Sequence, residues 1–178
     1  HQTHLNSAKY RSLTITSITQ LSWSLIKVKG MADPLSLYMW LMPTFFANKF
    51  ILPINKSIIT GVYGSQRILN GIPKSPHYGL DFAAKEGTNI KAMLDGVVTL
   101  SEKDLYYTGG TIIFDHGHGV STLYMHLKDI YVKKGQQIKQ GDIIGTVGKT
   151  GRSTGAHLDI RLNWFDVKLD PASVLEIY

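Results

Sequence analysis

A histidine and an aspartate stand four residues apart at His77 and Asp81, with Gly79 midway between them. In an extended strand all three residues point to one face, and Gly79 leaves the space between imidazole and carboxylate empty. A neutral imidazole and an ionised carboxylate are good zinc ligands. The spacing therefore allows a metal site, although an ordinary hydrogen bond between His77 and Asp81 explains the pair equally well.

A second pair, His157 and Asp159, shares one face of an extended segment, while the apolar residues around them point to the other face. The preceding run 148–156 is rich in glycine and polar residues, which is typical of a loop that lines a binding cleft. Asp159 is therefore a candidate ligand. The alternative is an ion pair with Arg161, which the same alternation places on that face.

Three further histidines belong to two short motifs. His126 lies in an apolar strand-like run, where alternation places it on the same face as Tyr124. A lone histidine in such a run is usually a hydrogen-bonded core residue. His116 and His118 lie in a glycine-rich turn, for which a solvated hairpin is the expectation.

The elements that would hold these residues are short strands. From Phe50 onward, β-branched runs are separated at short intervals by turns that contain glycine, and no helical periodicity is sustained. Asp95–Gly96 and Gly141–Asp142 are turn signals, and Asp170–Pro171 indicates one closing helical turn. We therefore expect an all-β, antiparallel domain over residues 49–178.

Residues 1–48 differ in composition from the rest of the chain. Of the 17 glycines only Gly30 precedes Gly61, and residues 12–24 are rich in serine and threonine. We expect an N-terminal arm or partial domain of unknown role. Its apolar run Leu35–Phe46 is shorter than the roughly 18 residues that cross a bilayer, so no stable membrane insertion is expected.

Composition excludes several function classes. The chain has no cysteine, so a disulfide framework, a cysteine-based zinc module and a cysteine nucleophile are excluded. Its formal net charge is +6, which suits nucleic acid, anionic lipid or an acidic polymer such as a cell wall. The basic residues form no stripe with interleaved aromatics, so we expect no nucleic-acid partner. Nothing in the sequence predicts an oligomeric state.

The motifs are more specific together than apart. In chain order they are H-x-x-x-D, D-H-G-x-G, Y-x-H-L and V-G-x-T-G-x-S-T-G-x-H-L. Over residues 50–175 this order resembles the lysostaphin-type (LytM-like) zinc metalloendopeptidases, and it is most similar to their Gram-negative periplasmic branch. The resemblance implies a compact two-layer antiparallel β fold, a duplicated hybrid motif, with a groove that holds one zinc ion.

The resemblance also implies roles for single residues. His77 and Asp81 fall on two zinc-ligand positions, and His126 and His157 fall on the two catalytic histidines, which do not bind the metal. The third ligand in the family is usually a histidine, but Asp159 stands at that position here. The implied activity is hydrolysis of peptide cross-links between the peptide stems of bacterial peptidoglycan, in the periplasm or elsewhere in the cell envelope, or after secretion. Because some relatives with altered metal sites are inactive regulators that bind and activate cell-wall amidases, that role is the alternative.

Overall fold

The computed structural model describes residues 49–55, 57–175 and 177. The described part of the chain is built from short strands and ends in a 3-10 turn at Pro171–Ser173. The strands are β1 (Ile58–Gly61), β2 (Arg67–Leu69), β3 (Ile72–Lys74), β4 (Leu80–Ala83), β5 (Asn89–Lys91), β6 (Gly96–Leu105), β7 (Gly109–Asp115), β8 (Val120–Ile130), β9 (Gln137–Ile138), β10 (Ile143–Val147), β11 (His157–Trp164) and β12 (Val167–Leu169).

Ten of these strands form one antiparallel sheet, in the order β1-β4-β11-β8-β7-β6-β9 along its main path. The long strand β8 also pairs with β10, which in turn pairs with β5, and β12 extends the sheet beside β11. Strands β2 and β3 form a separate hairpin. The all-β, antiparallel prediction is confirmed. The division at residue 48 stays a prediction, since residues 1–48 lie outside the described residues.

One hydrophobic core holds the sheet together. In β11 the alternating residues Leu158, Ile160 and Leu162 are buried, as their period of two predicts. Tyr124 of β8 is also fully buried, and its hydroxyl accepts a hydrogen bond of 2.8 Å from the backbone N–H of Met93. This contact satisfies the one polar atom that Tyr124 brings into the core.

The solvated turn expected around His116 is wrong for that residue. His116 is fully buried, and its ring is stacked on that of Phe114. Its Nδ1 donates to the carbonyl oxygen of Asp95 at 2.6 Å, and its Nε2 lies 2.7 Å from Oγ1 of Thr122. Because both ring nitrogens have partners, the imidazole is accommodated in the core as a neutral group. Burial lowers its pKa to about 4.

Helical structure in the described residues is confined to the closing turn that the sequence predicts. Asp170 caps it, since its Oδ1 accepts a hydrogen bond of 2.9 Å from the N–H of Ala172. No helix in the described part of the chain is long and apolar enough to cross a membrane.

Candidate metal and catalytic centre

The register of the sheet places the two aspartates side by side. Asp81 of β4 lies directly opposite Asp159 of β11, and Gly61 and Met125 continue the same row on the flanking strands. Two carboxylates that face each other across strands repel, which destabilises the pair unless a cation lies between them. The row therefore indicates a cation site between β4 and β11.

His77 completes the cluster from the segment that leads into β4. Its backbone is held by two hydrogen bonds, from its own N–H to the Ser65 carbonyl at 2.9 Å and from the Gly64 N–H to its carbonyl at 2.7 Å. The side chain is buried, and its Nε2 lies 3.0 Å from Oδ1 of Asp81. The sequence placed both side chains on one face, and the structure brings them together.

Three polar atoms at this point are buried: Nε2 of His77 and Oδ1 of Asp81, whose contact lacks good hydrogen-bond geometry, and Oδ1 of Asp159, which has no hydrogen-bond partner. One possible ligand atom from each residue lies within 4.8 Å of the others. Buried polar atoms nearly always form hydrogen bonds, so three such atoms directed at one place indicate that a bound group is missing. Imidazole nitrogen and carboxylate oxygen are the donors that zinc accepts, and the residues present fit that ion.

Two glycines make room for the carboxylates. A Cβ at Gly79 would overlap Oδ1 of Asp159 and lie 2.9 Å from the carbonyl oxygen of Ile160, and one at Gly61 would overlap Oδ2 of Asp81. The gap that we expected beside Gly79 therefore exists, but the carboxylate of Asp159 fills it.

The two interpretations of Asp159 are compatible because each uses a different oxygen. Oδ2 accepts a hydrogen bond of 3.2 Å from Nη2 of Arg161, whereas Oδ1 faces His77 and Asp81 without a partner. Asp159 is 2% exposed. The Arg161 contact thus orients the carboxylate and leaves its other oxygen for a metal.

Arg67, which the sequence did not single out, contacts Nδ1 of His77 through its Nη2. A guanidinium only donates, so Nδ1 accepts and the proton of a neutral His77 lies on Nε2. Binding a metal through Nε2 as a neutral imidazole requires the proton to move to Nδ1, and Arg67 must then turn away from that atom. Burial opposes ionisation of Asp81, but its contact with His77 and the charges of His157 and Arg67 outweigh burial and lower the pKa of Asp81.

His126 reaches the same centre because its backbone breaks the alternation of β8. Its φ is +65°, in the left-handed region. Met125 and His126 therefore both line the groove, whereas Tyr124 points into the core, and the shared face expected for Tyr124 and His126 is wrong. Burial, aided by the charge of His157, lowers the pKa of His126 against the opposing effects of the Thr150 carbonyl and nearby carboxylates.

The two histidines are held by backbone carbonyls of one loop. Nδ1 of His126 donates to the Thr150 carbonyl at 2.9 Å, and Nδ1 of His157 donates to the Gly155 carbonyl at 2.8 Å. Their ring centroids are 4.7 Å apart. Since a carbonyl only accepts, both neutral rings carry their proton on Nδ1 and present Nε2 as a free base.

Thr150 is a second residue that sequence reasoning missed. Its hydroxyl accepts from the N–H of Gly110 at 2.9 Å and donates to the carbonyl of Leu127 at 2.7 Å, so it fastens the loop to β7 and β8. Only its place in the polar run 148–156 signalled a role.

The centre borders an open groove of about 920 Å³. His126 and Asp159 line it, together with residues of the β2–β3 hairpin and of the loop 148–156. The groove is open to solvent, so a substrate can reach His126 and Asp159 from outside.

Comparison with known proteins identifies the family. The model of Peptidase family M23 matches residues 75–171, which is more than half of the chain. The peptidoglycan DD-endopeptidase ShyA of Vibrio cholerae is 43% identical over 88 residues, covering 49% of this chain and 20% of that protein. The DD-carboxypeptidase/endopeptidase Mpg of Neisseria meningitidis is 40% identical over 98 residues, covering 55% and 22%. The chain spans about a fifth of the length of these curated relatives.

Solved structures agree with the family match. A zinc-containing peptidase from Vibrio cholerae has a TM-score of 0.64 and 32% identity, covering 69% of this chain and 39% of that chain. The catalytic domain of lysostaphin from Staphylococcus simulans has a TM-score of 0.61 and 32% identity, covering 68% and 94%. The resemblance to lysostaphin-type peptidases is thus confirmed, and the chain belongs to Peptidase family M23.

Proposed function

We propose that this chain is a zinc-dependent endopeptidase that hydrolyses peptide cross-links of bacterial peptidoglycan, outside the cytoplasm in the periplasm or elsewhere in the cell envelope. The observation that carries the proposal is the cluster of three buried ligand atoms beside two histidines that present free Nε2 atoms. The similarity to a peptidoglycan DD-endopeptidase of Vibrio cholerae supports the substrate class.

Each residue of the centre has a distinct task. His77, Asp81 and Asp159 would hold the zinc ion, which when bound supplies Lewis acidity to a peptide carbonyl and to water. His126 and His157 move protons. One Nε2 takes a proton from the attacking water and passes it to the nitrogen of the leaving amine as the C–N bond breaks. The other, when protonated, donates a hydrogen bond to the carbonyl oxygen as negative charge develops there. The lowered pKa of His126 favours its neutral form and hence the role of base.

The test uses the whole chain, purified and loaded with zinc, on isolated peptidoglycan sacculi. We expect the cross-linked dimers to be converted to monomers, as followed by chromatography and mass spectrometry of the released fragments. Treatment with a chelator should stop the conversion, and added zinc should restore it.

The same assay separates the enzyme from the regulator. A regulator would leave the dimers intact but would increase the release of stem peptides when a cell-wall amidase is added. That result, obtained with metal-loaded protein, would refute the proposed hydrolysis.

A further inference from the structure

Two separate elements bring unbalanced positive charge to the groove. The β2–β3 hairpin contributes Arg67 and Lys74, and the loop 148–156 contributes Arg152. Asp159 is the one carboxylate among the described residues that line the groove, and it is buried against Arg161. The lining therefore carries more cations than its own acid can neutralise.

Arg67 and Lys74 lie directly opposite each other in the hairpin. Like charges at directly opposite positions of two strands destabilise the pairing, so the hairpin itself gains nothing from this arrangement. The side chains of Lys74 and Arg152 are exposed, and neither forms an ion pair within the described part of the chain. The two cations are free to bind an anion from outside.

We infer that the groove selects peptides that carry a free carboxylate near the bond to be cut, with Lys74 and Arg152 as the residues that determine this preference. The inference deepens the proposed function and rests on it, since it names the kind of peptide that the centre accepts. Ammonium and guanidinium groups bind carboxylates through charge-assisted hydrogen bonds, and a neutral amide at the same place loses that charge. Arg67 lies close enough to join them but also touches His77, so it is not used in the test.

The experiment compares three cross-linked peptides of the same sequence. One has all carboxylates free, one has its side-chain carboxyl amidated, and one has its terminal carboxyl amidated. The proteins are the zinc-loaded wild type, Lys74→Gln, Arg152→Gln and the double variant. Lys133→Gln is the matched control, because Lys133 is exposed in the turn between β8 and β9 and does not line the groove.

For the free peptide we expect each groove variant to raise KM about threefold to fivefold with little change in kcat, as for an exposed ion pair. The effect should shrink at high salt, which screens exposed charges. With the wild type, the peptide in which the bound carboxylate is amidated should already show the raised KM. The groove variants should raise its KM no further, and this result identifies the carboxylate that is bound. Equal KM values for all three peptides with the wild type would overturn the inference, as would an equal effect of Lys133→Gln.

A binding measurement distinguishes failure of carboxylate selection from failure of the proposed hydrolysis. Calorimetric titration of zinc-loaded His126→Asn with the same peptides needs no cleavage. In one outcome the wild type cleaves no peptide, while binding still favours the free carboxylate and the double variant loses this preference. That outcome refutes hydrolysis and supports carboxylate selection. Equal affinity for free and amidated peptides overturns carboxylate selection, whatever the outcome for cleavage.

Discussion

His126 combines a ring that we assign to catalysis with a backbone conformation that few side chains tolerate. Its φ of +65° is uncommon outside glycine, and asparagine is among the residues that adopt it most readily. Residues held in such conformations cost roughly 1–3 kcal/mol and persist where the surrounding structure fixes them. Substitution by alanine would therefore test the backbone as much as the ring, and asparagine is the better probe.

We predict that His126→Asn lowers the rate of cross-link cleavage about 10²-fold to 10³-fold, because a positioned proton-transfer group is lost. Zinc content should stay unchanged, since His126 is assigned to the reaction and not to the metal. Elemental analysis and the sacculus assay on the same preparation check both statements. Loss of zinc would show that His126 is a metal ligand, and normal cleavage would show that it is only a core histidine.

Asp159 divides its two oxygens between Arg161 and the cation site. Asp159→Asn keeps the shape but removes the charge, so we expect zinc affinity to fall at least tenfold, as measured by competition with a chromogenic chelator. Asp166→Asn, at an exposed position in the turn between β11 and β12, is the control and should leave the affinity unchanged. If Asp159 serves only Arg161, the variant will melt at a lower temperature and bind zinc as before.

At the scale of elements, the close approach of β4 and β11 determines the geometry of the candidate metal site. Gly79 precedes β4 directly, and a Cβ there would collide with a β11 side chain and with the β11 backbone. The backbone carbonyl of Ile160 cannot turn aside as a side chain can. The separation between these two segments is therefore fixed by the absence of a side chain at residue 79.

Gly79→Ala should accordingly lower both zinc affinity and thermal stability. Overpacking typically costs about 1–3 kcal/mol. For a chain of this size that corresponds to a decrease of roughly 2–4 °C in Tm for each kcal/mol. Gly155→Ala is the control in the neighbouring loop, since nothing lies within 4 Å of its added Cβ. Equal Tm values for the two variants would show that β4 and β11 can separate without cost.

The elements also show how far sequence reasoning reaches. Period-two alternation correctly placed Asp159 and Arg161 on one face, because β11 is regular over its whole length. It failed at His126, where a left-handed residue turns the chain. The carbonyl of Thr150 could not be predicted, because a backbone acceptor is the same for every residue type.

Other parts of the site depend on contacts between distant segments. Arg67 meets His77 only because the β2–β3 hairpin folds back toward the segment before β4. The burial of His116 likewise follows from partners at Asp95 and Thr122. Local patterns predict which strands form and which face each residue occupies, but not which loops meet.

At the scale of the whole molecule, His116 makes stability depend on pH. Its pKa is about 4 in the folded chain against 6.5 ordinarily, so the unfolded chain takes up the proton first as pH falls. The contribution of His116 is fully present above pH 6.5 and declines toward pH 4, by up to about 3 kcal/mol. His126, whose pKa is also lowered, acts in the same direction.

We therefore predict that the free energy of unfolding of the metal-free protein decreases from pH 7 to pH 4, and that it decreases less in His116→Gln. Urea denaturation at several pH values measures both curves. Since His126 and the carboxylates contribute equally to the two proteins, the difference in slope reports His116 alone. Parallel curves would show that His116 is not held neutral by the fold.

The pairing of β4 with β11 holds two of the candidate ligands in place through the strands themselves. Four residue pairs, from His157 and Ala83 to Ile160 and Leu80, align the two strands through the backbone and the core. Asp81 and Asp159 are thus brought together by the pairing of long-range strands, unlike the ligands of small zinc modules, whose folding is itself metal binding. At the proposed metal site we therefore expect a chelator to remove the ion, and added ion to bind again, while the sheet stays paired.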